Sequence, residues 1–406
     1  MTQLIIVIVV MLIQQALSYM SSVVLPNMAP LVAAATHADP NLVGYHTGIF
    51  YFASSIWQLS SGGFIIRFGP IRMSQFSLFT IGIGLMMGVT GNLWVFAAAA
   101  ALMGTGASFS TPASSHLLAR YSPPGYAPLI FSIKQTGVPV GGLLAGTMVP
   151  LLLVMVGWQG AFVVTGAICI AFAVMLQPVR DRFDVDRKPD HHLKPVEIWN
   201  NFYQVLHRPE LRDLALAMFC FVGLQGLFGS YFVTIVSQQL GKPLTTANHI
   251  FSLAMSAAVF ARILWGWVGS RLIPARMLLG ILALVMVVAS VGTGFYDSSW
   301  SVLMITAVAV LYCISAIGWH GLLLSEIARL APPSNIGGTT GAVLAFGGSG
   351  MMSYPVIYAL IVSTTGNYNI GFYFAAIPAL LIAFRLFRRL VPETDPLTRS
   401  GVRSGK

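Results

Sequence analysis

Charge is the scarcest property of this chain. Only 8% of its 406 residues are Asp, Glu, Lys or Arg, against about a quarter in ordinary soluble domains. A chain so poor in charge cannot cover a water-facing surface, which excludes a soluble globular fold. Cysteine is also rare. Cys169, Cys220 and Cys313 each lie within an apolar run and share no metal or redox spacing, so a disulfide framework and a thiolate metal site are excluded. The N-terminus lacks both a basic stretch and a small-residue cleavage site, so the first apolar run reads as a spanning helix rather than a removed signal. The sequence contains no phosphate loop, nucleotide-binding motif, catalytic triad or metal cluster. Enzymatic chemistry, ATP-driven work within this chain and a resident cofactor are therefore not expected.

Apolar sequence is abundant instead: 56% of residues are hydrophobic and the mean hydropathy is +0.79. A span needs about twenty apolar residues. Twelve such runs are found, at 4–34, 42–65, 73–91, 93–118, 127–155, 160–177, 213–238, 247–270, 277–296, 299–327, 336–364 and 368–390. The expected fold is an all-α membrane protein of twelve transmembrane helices. The 40 glycines and 22 prolines suit membrane helices, which tolerate both.

The formal net charge of +10 would suggest nucleic acid in a soluble protein. Here the basic residues sit in short loops, where they set membrane orientation. Arg67, Arg72, Arg120, the segment from Arg180 to Arg212, Arg271, Arg276, Arg329 and the tail from Arg385 fall on one side, and the opposite loops hold Lys242. Both termini are therefore expected in the cytoplasm of a bacterial-type inner membrane, with no nucleic-acid partner and a monomeric protein in the bilayer. Between the sixth and seventh runs, 178–212 is the long polar stretch. In it Ile198, Trp199, Phe202, Val205 and Leu206 share one helical face, which predicts a short amphipathic helix on the inner surface.

The chain repeats itself. Gly62-Gly-Phe-Ile-Ile-Arg67-Phe-Gly-Pro70-Ile-Arg72 follows the second run, and Gly266-Trp-Val-Gly-Ser-Arg271-Leu-Ile-Pro274-Ala-Arg276 follows the eighth. Arg120-Tyr-Ser-Pro123-Pro124 after the fourth is matched by Arg329-Leu-Ala-Pro332-Pro333 after the tenth. Both pairs map run n onto run n+6, which predicts two related six-helix bundles: 1–177 and 213–391, joined by the 178–212 linker and followed by a tail at 392–406.

At these residues the chain resembles the major facilitator superfamily, whose signature after span two is Gly-x-x-x-Asp-Arg-x-Gly-Arg-Lys. Gly62, Arg67 and Gly69 match it and Arg72 follows one position beyond; Ile66 stands at the acidic position and Ser270 at its second-half counterpart. Arg262-Ile-Leu-Trp-Gly266 resembles a pattern of monocarboxylate and oxalate/formate carriers, in which the arginine contacts a substrate carboxylate. Gly137-Val-Pro-Val-Gly-Gly is similar to an antiporter motif with its proline displaced. The resemblance implies a secondary transporter working by alternating access, with proton-coupled uptake first and export of drugs or metabolites as the alternative.

Lys134 and Arg262 lie deep within runs five and eight. A cation at mid-membrane costs roughly 2.5–3.5 kcal/mol on insertion scales, so it is retained where it meets water, a partner or a ligand. The acids Asp39 and Asp297 are in loops and Glu326 is near the end of run ten. Two cations without a deep acid point to an anionic guest, most simply a small carboxylate. The alternative is that Lys134 reaches toward the surface and Arg262 bonds backbone carbonyls. Tyr19, Asn27, His46, Gln58, Gln225, Tyr231 and His320 are further candidate substrate contacts on central helices. Glu326 with Arg329, and Arg67, Arg72, Arg271 and Arg276, are candidates for coupling or gating.

Overall fold

A computed structural model describes residues 2–123, 127–191, 198–331 and 336–388. The 392–406 tail, Glu197, Pro124, Pro332 and Pro333 lie outside these, as do the side chains of Ile198 and Trp199. Among the described residues the chain is all helix and turn, with no strand.

The helices are α1 (Thr2–Thr36), α2 (Val43–Phe68), α3 (Pro70–Met87), α4 (Leu93–Ala107), α5 (Ser110–Tyr121), α6 (Ala127–Gln135), α7 (Gly137–Met175), α8 (Gln177–Phe183), α9 (Ile198–His207), α10 (Pro209–Thr234), α11 (Leu244–Arg271), α12 (Ala275–Gly294), α13 (Val302–Ala316), α14 (His320–Leu330), α15 (Ile336–Thr365) and α16 (Tyr368–Arg388). Among the described residues ten stretches are long and apolar enough to cross a membrane, and an eleventh is formed by the bent α2. Starts and stops follow local chemistry. Asn92 caps α4 by accepting from the N–H of Trp94 and Val95, and Ser301 caps α13 through the N–H of Met304. Proline opens α3 and α10, where its missing N–H costs nothing.

Gly157 interrupts α7, with φ 71° and ψ −179°. The stretch Ile130–Met175 is 46 residues long; at about 1.5 Å per residue it would far exceed a bilayer core of about 30 Å if straight. Three other breaks fall inside apolar runs: between α4 and α5, between α6 and α7 at Thr136, and between α13 and α14. Each frees backbone carbonyls away from water, which must then find donors.

The arginine-rich end of the bundle is tied by side chains. Asp184, just after α8, accepts from the N–H of Ile71 (2.7 Å) and Arg72 (3.0 Å) at the start of α3. Asp186 pairs with His116 (2.8 Å) and Arg120 (3.3 Å) at the end of α5. Burial pushes the Asp186 carboxyl pKa up, but His116 and Arg120 outweigh it and hold the group below its ordinary value. The N–H of Lys188 reaches the Ile66 carbonyl at 2.7 Å. Gly69, with φ 96°, sits against the Asp184 carboxylate, and a Cβ there would collide with it. Gly69→Ala therefore combines backbone strain with a clash. It is expected to destabilise the protein by about 1–3 kcal/mol, read as a lower melting temperature in detergent.

On the other set of helices, Asp213 is buried at the start of α10. It accepts from Arg276 Nη2 (3.0 Å) and Arg385 Nε (2.9 Å), joining the starts of α10 and α12 to the end of α16. In the polar stretch α9 covers Ile198–His207; Val205 is buried, and Phe202 packs on Phe346 of α15 with ring centroids 5.7 Å apart. Leu206 and Tyr203 stay exposed.

Candidate functional site: a polar cavity backed by two buried cations

A cavity of about 180 Å³ lies at the centre of the bundle, where α1, α2 and α5 face α10, α14 and α15. Its walls differ. One carries Gln15, Ser18, Tyr19, Ser22, Tyr51, Ser54, Ser55, Gln58 and Thr111, whereas the facing wall is Met218, Val222, Leu344, Gly347, Gly348 and Met351, with His320 as its polar member. Among the described residues no acidic side chain lines the cavity, and the sequence from 40 to 180 contains no Asp or Glu.

Lys134 and Arg262 are 1% and 4% exposed and stand one residue behind the cavity wall. Lys134 Nζ donates to Gln15 Oε1 at 2.8 Å. That oxygen also receives the hydroxyls of Ser110 (3.2 Å) and Thr111 (3.3 Å). Ser110 also donates to Gln14 Oε1 at 2.9 Å, so α1, α5 and α6 form one polar network. Arg262 Nε donates to the Ile317 carbonyl at 3.0 Å, Nη1 donates to the Gln135 carbonyl, and Nη2 lies 3.3 Å from His320 Nδ1. Sequence explains these acceptors. Gln135 would bond the N–H four residues on, but that residue is Pro139, which has none. Ile317 ends α13, where carbonyls lack helical partners. A guanidinium, with five donors in a fork, can serve both and still reach His320. The cations are thus deep, as their sequence positions require, but neither forms the wall directly. Arg262 does bond backbone carbonyls, as the alternative reading held, and Lys134 is bound inside the protein rather than turned to the surface.

The remaining candidates divide. Tyr19, Gln58 and His320 line the cavity. Gln225 is buried beside Tyr19 and does not line it. Asn27 and Tyr231 do not line it; they lie among contacts at the end opposite the arginine-rich one. Asn248 Nδ2 donates to the Asn27 carbonyl (3.0 Å), Tyr231 OH donates to the Asn41 carbonyl (3.0 Å), and Ser230 Oγ donates to Thr47 Oγ1 (3.0 Å). Ser252 Oγ closes the same end on the Leu143 carbonyl at 3.1 Å. His46 is also displaced: it lines a separate small cavity with Ser21, Leu25 and Phe162. Glu326 and Arg329 make a two-pronged pair at 2.6 and 2.8 Å within α14, and Arg329 is 64% exposed. Arg67 packs over Phe68, Arg72 Nη1 donates to Gln75, Arg276 is held by Asp213, and Arg271 ends α11 exposed. Sequence reasoning missed Gln15 and the serine-rich wall. Gln14-Gln15 is a polar doublet that ends the apolar stretch 4–13, and Ser54-Ser55 is another doublet in the second run; both were available signals.

A helical membrane bundle with a polar cavity at its core, sealed at one end, is the architecture of a solute transporter. The chain belongs to the Major Facilitator Superfamily, which it matches over residues 11–326; members of that family are transporters and not enzymes. It is 25% identical to the protein named "Probable galactarate/D-glucarate transporter GudP" of Bacillus subtilis, covering 88% of this chain and 87% of that one. It is 19% identical to "Probable sulfoacetate transporter SauU" of Cupriavidus necator, over 89% and 88%. Among solved structures, a bacterial homologue of the human lysosomal transporter Spinster superposes with TM-score 0.72 at 15% identity, covering 94% of this chain and 96% of that one. A POT family transporter superposes with TM-score 0.74 at 12% identity, covering 94% and 95%. At these identities the likeness is one of fold.

Proposed function

We propose that this protein is a secondary transporter of a small hydroxylated organic anion, carrying it across a bacterial inner membrane by alternating access. The observation that carries this reading is the cavity itself: a hydroxyl- and amide-rich wall, no acid, and two cations directly behind it. Two positive charges without a counter-ion repel each other in a poorly polarisable interior, and an anion between them relieves that cost. A substrate with an acidic group at each end would match both. Galactarate, glucarate and sulfoacetate, which appear in the names of similar proteins, each have two acidic groups.

Counting the bent α2 as one span and α7 as two, divided at Gly157, gives twelve spans from the ten-to-eleven apolar stretches. We read these as two six-helix bundles, 1–177 and 213–391, with both termini and the arginine-rich end in the cytoplasm. The hydrogen-bonded seal then faces outward and the cavity reaches inward through Gln58, Thr111, Met218 and Leu344, an inward-open state. Rocking of the bundles would break the outer bonds of Asn248, Tyr231 and Ser230 and close the inner mouth.

The test is uptake of radiolabelled galactarate into proteoliposomes, with and without an inward proton gradient. Uptake that a proton gradient stimulates supports the reading with coupling. Uptake indifferent to the gradient keeps the substrate class and removes coupling, and no transport of any organic anion refutes the assignment. The Met218, Met351, Val222 and Leu344 wall favours one alternative, export of amphipathic metabolites. Efflux of an apolar amine, without anion uptake, would establish it.

A further inference from the structure

Two neutral side chains stand between the buried cations and the cavity, and their hydrogen bonds fix how each presents its protons. An ammonium group can only donate. The Gln15 atom that faces Lys134 Nζ at 2.8 Å must therefore be Oε1, which also takes the hydroxyls of Ser110 and Thr111. With the oxygen committed on that side, the amide NH2 is left for the cavity that Gln15 lines. The same logic applies to His320. A guanidinium has no acceptor, so in the 3.3 Å contact with Arg262 Nη2 the His320 Nδ1 offers its lone pair, in competition with the Ile317 carbonyl, which also lies within hydrogen-bonding reach of the ring. The neutral ring then carries its proton on Nε2. Protonating Nδ1 as well would break this contact and bring a third positive charge beside the other two.

We propose that Gln15 and His320, rather than Lys134 and Arg262, are the residues that touch the anion. Each presents an N–H whose acidity is raised by the cation bonded to its other end, because chained hydrogen bonds polarise one another. Gln15 lies on α1 and His320 on α14, so the two donors face the cavity from opposite sets of helices. A substrate with acceptor oxygens at both ends bridges them. The cations keep their protein bonds throughout, so binding does not require Arg262 to abandon the carbonyls of Gln135 and Ile317. This assignment rests on the anion reading above and adds the identity of the contacting atoms.

Two measurements test it. The first needs no ligand: 15N NMR of histidine-labelled protein at neutral pH, with the His320 signals identified by their loss in His320→Gln. A neutral ring protonated on Nε2 is expected; an Nδ1-protonated ring or an imidazolium overturns the proposal. The second is calorimetric titration with galactarate and with sulfoacetate. Gln15→Met and His320→Leu should each weaken binding by about tenfold or more, as loss of a donor to a charged group does. His320→Gln can accept from Arg262 and still donate to the cavity, and should stay within about threefold of wild type. If both donor-less variants bind like wild type, the contacts are wrong while the anion reading stands. If the wild type binds neither anion, that reading fails and the contacts fall with it. Should a variant not fold, the NMR measurement still decides the orientation on which the proposal depends.

Discussion

Replacing Arg262 with Lys is expected to lower the initial rate of substrate uptake by about a hundredfold while the protein still folds and inserts. An ammonium keeps the charge but lacks the planar fork. It cannot serve the Ile317 carbonyl, the Gln135 carbonyl and His320 Nδ1 together. Whichever acceptor is abandoned stays buried and unpaired at a cost of about 1–3 kcal/mol. If His320 is released, its ring turns and the cavity loses a fixed donor. If Gln135 is released, the break between α6 and α7 loses the donor that Pro139 cannot supply. Either change shifts the two sets of helices beside the proposed substrate cavity, and about 2.7 kcal/mol there is a hundredfold. Arg262→Leu should be worse, because both carbonyls are then orphaned in an apolar interior, and its melting temperature should fall as well. Uptake in proteoliposomes, normalised to folded protein, checks the first expectation and differential scanning fluorimetry the second. Wild-type uptake in Arg262→Lys would mean that the fork has no role.

The largest expected effect on stability belongs to a residue far from the cavity. Asp213 is completely buried and holds both Arg276 and Arg385. Asp213→Asn keeps the shape and removes the charge, leaving Arg276, itself buried, without a counter-ion. Breaking a buried pair from one side costs about 3–5 kcal/mol. The variant should therefore express poorly or unfold many degrees below wild type. Glu326→Gln is the contrast: its partner Arg329 is 64% exposed, and a pair so open to solvent contributes about 1 kcal/mol or less. A comparison of the two melting curves checks both. Similar, small losses would show that the Asp213 cluster is more accessible to water than its geometry indicates.

Much of the scaffold was legible because a lipid environment leaves few options. Apolar runs of span length must be helices, and the two matched Gly-Arg-Pro-Arg segments point to a repeated organisation. The internal breaks were harder to read. Pro139 shows that span five bends, but the freed carbonyl of Gln135 matters only because Arg262, more than a hundred residues away, arrives beside it. That juxtaposition is tertiary and leaves no trace in local spacing. Lys134 and Arg262 stood out because charge at depth demands an explanation. Gln15 did not, because an uncharged amide in a membrane helix is commonplace, yet it forms the wall in front of Lys134. Asn27 and Tyr231 were plausible contacts by depth alone; the Tyr231 hydroxyl turns to the Asn41 carbonyl, whereas Asn27 is held through its backbone carbonyl. Asp184 supplies an acid at the start of α3 that the Ile66 position lacks, and only the chain's return after α8 brings it there.

The central claim is that the cavity is built for negative charge. Melting temperature measured against rising galactarate and, separately, galactitol tests it most directly, since the two share a hydroxylated six-carbon chain and differ in the acidic ends. Ligands that bind the folded state raise its stability by mass action. Galactarate should raise the melting temperature in a concentration-dependent and salt-sensitive way, and galactitol should leave it unchanged. Equal stabilisation by galactitol, or stabilisation by an organic amine in place of the acid, would contradict the account.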